Sequence, residues 1–336
     1  MTDLLKPDDT RDYLRKLGGL LLGTAALMIF IRKGESWGDF AVFLLLAVPA
    51  ALLYGGGVFT IKETGGPRPW HGVFSVFGLI FVPLALLQFV DMIGGDSGSA
   101  LNIFWIFGVT AALAGYAGLV AGIRWHLLAG SIALIISWSA LWDKILGDEG
   151  IAGNIGVYRG LLGILAIGLL AGAVYLWREN PGEDEHVASA TDPGGDQGLW
   201  KASELFTGAG ISAVLGCSLG IASLASLGDT FSPFAFNAPE TNLLWDSLLL
   251  IVSLGLIGVG SAVGVRGPVY IGAIGLFLFL LLAGLDLDGD PPEPNNLGIW
   301  PIVLLVLGGL GLALSSVGEA SQGDKPKELV NKIKGS

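Results

Sequence analysis

Ten apolar stretches, joined by short polar connections, take up most of this 336-residue chain. The hydrocarbon core of a bilayer is roughly 30 Å thick, and a helix needs about 20 apolar residues to cross it. Backbone groups in lipid must be satisfied within each segment, and the stretches show no strand-like alternation, so each is expected to be a helix. The predicted spans are 17–31, 40–58, 73–90, 103–120, 125–142, 155–177, 205–227, 243–265, 269–285 and 297–317.

The composition excludes an ordinary soluble domain, because 52% of the residues are hydrophobic, 14% are charged and the mean hydropathy is +0.69. The predicted fold class is therefore an all-α integral membrane protein of about ten transmembrane helices. The expected segments are a cytoplasmic N-terminal stretch 1–16, a six-helix membrane block 17–177, an acidic flexible linker 178–204, a four-helix membrane block 205–317 and a basic tail 318–336.

Lysine and arginine fall mainly on alternate connections, and such residues stay on the cytoplasmic side of a membrane. They precede the first span and follow every even-numbered span. The exceptions are Arg32, Lys33, Lys144 and Arg159. The pattern predicts a multi-pass protein of the plasma (inner) membrane with both termini in the cytoplasm.

Polar positions recur along the chain at a fixed distance of 142 residues, which favours internal duplication over chance matching. The expected unit is a helical hairpin that begins at a basic residue. Glycine pairs four residues apart, such as Gly118/Gly122 and Gly260/Gly264, predict close helix packing in lipid. The matched set is Gly122, Arg124, Gly130, Ile132, Leu134, Gly147, Asp148, Asn154 and Gly156 with Gly264, Arg266, Gly272, Ile274, Leu276, Gly289, Asp290, Asn296 and Gly298.

Several kinds of chemistry are not expected. The sequence pI near 4.6 argues against a nucleic-acid-binding surface. Cys217 is the only cysteine, which excludes an intramolecular disulfide and a thiolate metal cluster. The segment 216–220 matches the G-x-S-x-G nucleophile pattern, but Ser218 lies in mid-span and the strand-to-helix turn that this pattern needs is not predicted there. We therefore expect no enzyme and no cofactor.

The acidic string after the ninth span is the weak candidate for a metal site. Asp286, Asp288 and Asp290 could present several carboxylate oxygens to a hard cation. The spacing does not fit a helix-loop-helix calcium loop, because prolines follow where that loop continues. An acidic, solvated turn is the favoured interpretation.

Ionisable residues inside spans suggest function, because charge in hydrocarbon is costly. Arg159 and Asp246 lie at matched depth near the ends of two spans and have opposite charge. They could form an interhelical ion pair, or each could reach water separately. His71 and His126 each follow a tryptophan at a span start, where interfacial anchoring is expected.

Three segments carry a resemblance. The run from Trp70-His71-Gly72 to Asp91, the end at 140–144 and the start at 158–162 resemble uncharacterised predicted membrane proteins common in actinobacteria. The resemblance covers most of the first six spans, and it implies a family without an activity.

Three kinds of function remain open. The favoured one is a non-catalytic membrane scaffold or partner-binding component, in contact with the lipid bilayer and with another membrane protein. The alternative is a secondary transporter or channel for a small solute or ion, whose substrate the sequence does not indicate; it needs a polar cavity at mid-membrane. An intramembrane enzyme lacks a clustered acid, base or nucleophile.

Overall fold

The computed structural model describes residues 7–61, 68–147, 154–179, 197–222 and 243–285. Within these ranges the chain is helical and has no strand, which confirms the predicted all-α class for the part described. A short 3-10 turn, Gly34–Ser36, follows the first helix. The helices are α1 Pro7–Lys33, α2 Asp39–Val58, α3 Pro69–Met92, α4 Ala100–Leu119, α5 His126–Leu146, α6 Ile155–Glu179, α7 Gln197–Ala222, α8 Leu243–Val263 and α9 Arg266–Leu285.

Eight of these helices, α1 to α8, are long and apolar enough to cross a bilayer. The apolar stretch of α9, Arg266–Leu280, is shorter. Large apolar side chains such as Ile167 and Ile251 lie exposed on the helix surfaces, as expected where the solvent is lipid. The chain is therefore a multi-pass helical membrane protein. The predicted tenth span, 297–317, and the tail 318–336 lie outside the described residues.

The helix bounds differ from the predicted spans at two places. Helix α1 begins at Pro7, well before the apolar stretch at 17–31, so its first turns are polar. Helix α7 begins at Gln197, so the last part of the expected flexible linker 178–204 is helical. Residues 180–196 of that linker lie outside the described part of the chain.

Consecutive helices pack as hairpins, and the closest pairs are α2 with α3, α4 with α5, and α6 with α7. The chain divides into two compact units, 1–276 and 277–336, and all packing described here lies within the first. Glycines bring the paired backbones together. A Cβ added at Gly57 would lie 2.6 Å from the Ser75 amide nitrogen, and one at Gly78 would collide with the Tyr54 backbone.

The hairpins α4–α5 and α8–α9 use corresponding contacts, 142 residues apart. Gly118 lies against Leu127, and Gly260 lies against Val269. In the reverse direction, Gly130 approaches the carbonyl oxygen of Ala111, and Gly272 approaches that of Ser253. The turns also agree, since Gly122 and Gly264 have φ angles of 70° and 74°. A side chain would be strained at both turns, which explains glycine there.

Side chains also donate hydrogen bonds to carbonyl oxygens of other helices, both within the hairpins and between them. Such bonds are favourable in lipid, where no water competes. The donors and acceptors are Tyr54 to Leu113 (2.8 Å), Ser137 to Phe104 (2.8 Å), Trp138 to Leu161 (3.1 Å) and Ser212 to Leu162 (2.9 Å).

The expected interfacial anchoring is wrong for Trp70, His71 and His126. Both histidines are completely buried and Trp70 is 5% exposed, whereas Trp125 is 67% exposed. The first turns of α3 and α5 face neighbouring helices, and the His126 ring lies beside the backbone of Ser75. All four residues lie near the start of a helix, so their different burial depends on the direction in which each side chain points.

Candidate functional site

Helices α6, α7 and α8 line an open cavity of about 530 Å³. Glycines on all three helices line it, namely Gly163, Gly210 and Gly255. A Cβ added at Gly163 or Gly255 would meet no atom within 4 Å. These two glycines therefore leave space between the helices, unlike the glycines of the hairpin interfaces.

A second cavity of about 140 Å³ continues the first and shares Leu170, Phe206 and Val259 with it. We call the two together the Arg159 groove, since Arg159 lies at one end and Trp177 at the other. Eighteen residues of α6 separate these two positions, which corresponds to about 27 Å of helix. The groove is thus nearly as long as the hydrocarbon core is thick.

The lining of the groove is almost entirely apolar. Leucine, valine, alanine and phenylalanine side chains make up most of it, and Cys217 is buried within it. Ser203 lines the end near Trp177. Arg159 is the charged side chain of this lining.

Arg159 is 7% exposed and stands four residues after the first residue of α6, about 6 Å along the helix. Its guanidinium carbon lies 5.3 Å from the centre of the Trp245 ring, a distance at which the aromatic face attracts the cation. Its buried Nε has no hydrogen-bond partner. An arginine carries five N–H donors and no acceptor, so this end of the groove is suited to an anion.

Asp246 follows Trp245 on α8 and interacts electrostatically with Arg159. The structure therefore brings the two residues of the predicted ion pair near each other, while the direct ion pair stays a prediction. The candidate metal residues Asp286, Asp288 and Asp290 lie outside the described residues.

Glu204 is a structural residue that the sequence analysis placed at the end of a flexible linker. Its carboxylate accepts hydrogen bonds from the backbone N–H groups of Trp125 (2.5 Å), Leu127 (3.1 Å) and Leu128 (3.4 Å). These are unpaired donors at the N-terminus of α5, where a negative charge is favourable. Lys201 also reaches this region and donates to the carbonyl oxygen of Leu119. Helix α7 is thus fixed to the turn between α4 and α5.

Trp245 is the functional neighbour that sequence reasoning did not assign, because spacing near a span end indicates an interfacial aromatic as readily as a partner for a cation. The sequence signal that could have predicted this contact is an arginine and a tryptophan at matched depth in different spans. Within the described residues, no group of three metal-ligating side chains occurs.

No protein-family model, curated protein or solved structure matches this chain. The resemblance to uncharacterised membrane proteins of actinobacteria therefore stays a prediction.

Proposed function

We propose that this protein is a non-catalytic, partner-binding membrane component, and that its partner in the Arg159 groove is an amphiphile with an anionic head group and an acyl chain. The observation that carries the proposal is the burial, at the end of a long apolar groove, of one arginine whose Nε has no hydrogen-bond partner. A carboxylate or phosphate would pair with the guanidinium. The acyl chain would fill the space beside Gly163 and Gly255.

Charge favours a lipid over the chain's own last predicted span as the occupant. The segment 297–317 contains no acidic residue, so it offers no charge to pair with Arg159. An anionic lipid brings both the charge and the apolar chain, and Arg159 stands at the shallow depth where a head group lies. Recognition of anionic head groups by basic residues between membrane helices follows the same electrostatics.

The alternative, a secondary transporter or channel for a small solute or ion, finds less support in the described residues. A polar solute needs a lining that replaces its hydration shell, usually near the bilayer midplane. The Arg159 groove is apolar along its midplane portion. An apolar groove suits a bound acyl chain better than a path for a solute.

The experiment is a lipid-retention measurement on the full chain. Protein is purified from nanodiscs that contain equal amounts of phosphatidylglycerol and phosphatidylcholine, and bound lipid is counted by native mass spectrometry. We expect the unaltered chain to retain phosphatidylglycerol in preference. Arg159→Gln removes the charge at similar length and should reduce that preference by about tenfold, as expected for a lost charge-assisted hydrogen bond.

Arg178→Gln is the matched control, because Arg178 lies near the other end of α6 and makes the same change of charge outside the groove. It should leave the preference unchanged. Equal loss in both variants, or retention of the preference in Arg159→Gln, would contradict the proposed site. Adding free oleate or inorganic phosphate distinguishes a need for the acyl chain from a need for the anion alone.

We also propose that the chain lies in the plasma membrane with both termini in the cytoplasm. The alternation of basic residues supports this orientation. Single cysteines at positions 288 and 332, introduced in a Cys217→Ser chain, should react with an impermeant thiol reagent from opposite sides. Reaction from the same side would overturn the orientation.

We further propose that α4–α5 and α8–α9 descend from one duplicated hairpin. The corresponding glycine contacts and the two positive-φ glycine turns, each 142 residues apart, support this origin.

A further inference from the structure

The two cavities of the Arg159 groove lie at different depths in the membrane. On α6, the lining of the larger cavity runs from Arg159 to Leu170, about 16 Å along the helix. The lining of the smaller cavity continues from Leu170 to Trp177, about 10 Å further. Half of the hydrocarbon core is roughly 15 Å thick. Because Arg159 stands near the start of α6, the larger cavity lies in one half of the bilayer and the smaller cavity in the other.

A lipid of ordinary length, held at Arg159, fills only the larger cavity. The acyl chains of the two leaflets meet near the middle of the bilayer, so each chain reaches roughly 15 Å. A chain whose head group pairs with Arg159 therefore ends near Leu170. It does not reach the smaller cavity, which has a volume of about 140 Å³. Unfilled apolar space is unfavourable, so a longer chain gains contacts that a shorter chain lacks.

The head-group site lies at one end of the groove. Arg159 is buried there, and its guanidinium lies against the ring of Trp245, which lines the same cavity. Among the described residues, the lining of the smaller cavity is apolar apart from Ser203 and includes no charged side chain. Two lipids that meet tail to tail would need a charged partner in the lining at both ends. One head group and one long chain fit this lining better.

We propose that the occupant of the Arg159 groove is an anionic lipid with a single acyl chain that is longer than the chains of the surrounding bilayer. This inference rests on the proposed lipid-binding function and specifies its ligand. A very-long-chain fatty acid has this chemistry. Its carboxylate pairs with Arg159, and its chain passes Leu170 into the smaller cavity. A 24-carbon chain is half as long again as a 16-carbon chain, so it reaches about 22 Å where the shorter chain spans one leaflet.

The test is a competition between two fatty acids for the full chain in detergent. Palmitate and nervonate have 16 and 24 carbons and the same carboxylate, and they are added in equal amounts. Native mass spectrometry distinguishes the two complexes by mass. We expect about tenfold more bound nervonate, because only its chain fills the smaller cavity. Arg159→Gln should reduce the binding of both acids, since both pair with the guanidinium.

Val174→Trp adds volume to the smaller cavity, which Val174 lines, and Val174 does not line the larger cavity. The preference for nervonate should fall below about twofold, since the end of its chain loses its contacts. Palmitate binding should stay the same. Ile164→Trp is the control, because Ile164 is also exposed on α6 and lines neither cavity. This variant should keep the full preference for nervonate.

The outcomes separate this inference from the proposed function. If the unaltered chain binds the two acids equally and Arg159→Gln loses both, the long-chain ligand is overturned while the anionic-lipid site stands. An undiminished preference for nervonate in Val174→Trp would also overturn the long-chain ligand. Binding of both acids that Arg159→Gln does not reduce would overturn the proposed function itself.

Discussion

The hairpin interfaces and the Arg159 groove are both lined by glycine, and a side chain added in the two regions would meet different surroundings. At Gly57, Gly78 and Gly272 an added Cβ would collide with the backbone of the neighbouring helix. At Gly163 and Gly255 it would meet open space. Glycine in the interfaces lets backbones approach, as small residues do throughout membrane helix packing. Glycine in the groove leaves open space between the helices.

The largest effect is expected from a leucine in a hairpin interface. Gly78→Leu would place side-chain atoms on the Tyr54 backbone, and overpacking of this kind costs roughly 3 kcal/mol or more. The expected result is loss of the monodisperse folded species in size-exclusion chromatography. Gly72→Leu lies on the same helix, where a Cβ meets nothing within 4 Å, and should fold. Normal folding of both variants would break the distinction between the two regions.

The contact between two hairpins can also be weakened without adding volume. Glu204→Ala removes the acceptor for three backbone N–H groups at the start of α5, at a cost of about 1–3 kcal/mol. Hydrogen exchange of the Leu127 and Leu128 amides should become faster and the melting temperature should fall. Glu204→Gln keeps one carbonyl acceptor, so its melting temperature should lie between those of the unaltered chain and Glu204→Ala. Unchanged exchange in the alanine variant would show that this carboxylate does not hold α7 to α5.

A smaller effect is expected from one interhelical hydrogen bond. Tyr54→Phe removes the hydroxyl that donates to the Leu113 carbonyl oxygen of α4 and keeps the ring. Measured bonds of this kind in membrane helices average about 0.6 kcal/mol, so the melting temperature should fall slightly. Loss of the folded species, as expected for Gly78→Leu, would mean that this one hydrogen bond matters as much to the fold as the close approach of two helix backbones.

The smallest effect on stability is expected in the groove. Gly163→Leu adds a side chain where the structure has space, so the fold should persist, while the retained anionic lipid should decrease because its chain is displaced. Gly168→Leu is the matched control on α6, since its Cβ also meets nothing and it does not line the groove. Melting temperature and lipid retention are measured on both. Loss of lipid in Gly168→Leu as well would refute the assignment of the groove.

Hydropathy predicted the spans well because the lipid solvent demands long apolar helices, and α2 to α6 begin and end within a few residues of the expected positions. It did not predict the helical start of α7, since Glu204 and Lys201 are polar and their partners at Trp125 and Leu119 are distant in sequence. A pattern of glycines in the sequence likewise does not predict whether a given glycine faces the backbone of a neighbouring helix or open space between helices. That difference depends on how three helices are arranged.

The candidate site could be predicted from the sequence only in part, because it also depends on how helices distant in sequence pack together. Opposite charge at matched depth indicated that Arg159 and Asp246 would lie near each other, and they interact electrostatically. The contact of Arg159 with Trp245 and the groove behind it arise from the packing of α6, α7 and α8. The burial of His126 depends on the direction of one side chain at the start of α5.

Lipid in the Arg159 groove can be observed directly in an electron cryomicroscopy map of the full chain in nanodiscs that contain phosphatidylglycerol. We expect elongated density between α6, α7 and α8, with the head group beside Arg159 and Trp245 and the chain running past Gly163 toward Leu170. A groove filled by protein, whether the segment 297–317 or repacked side chains, would contradict it.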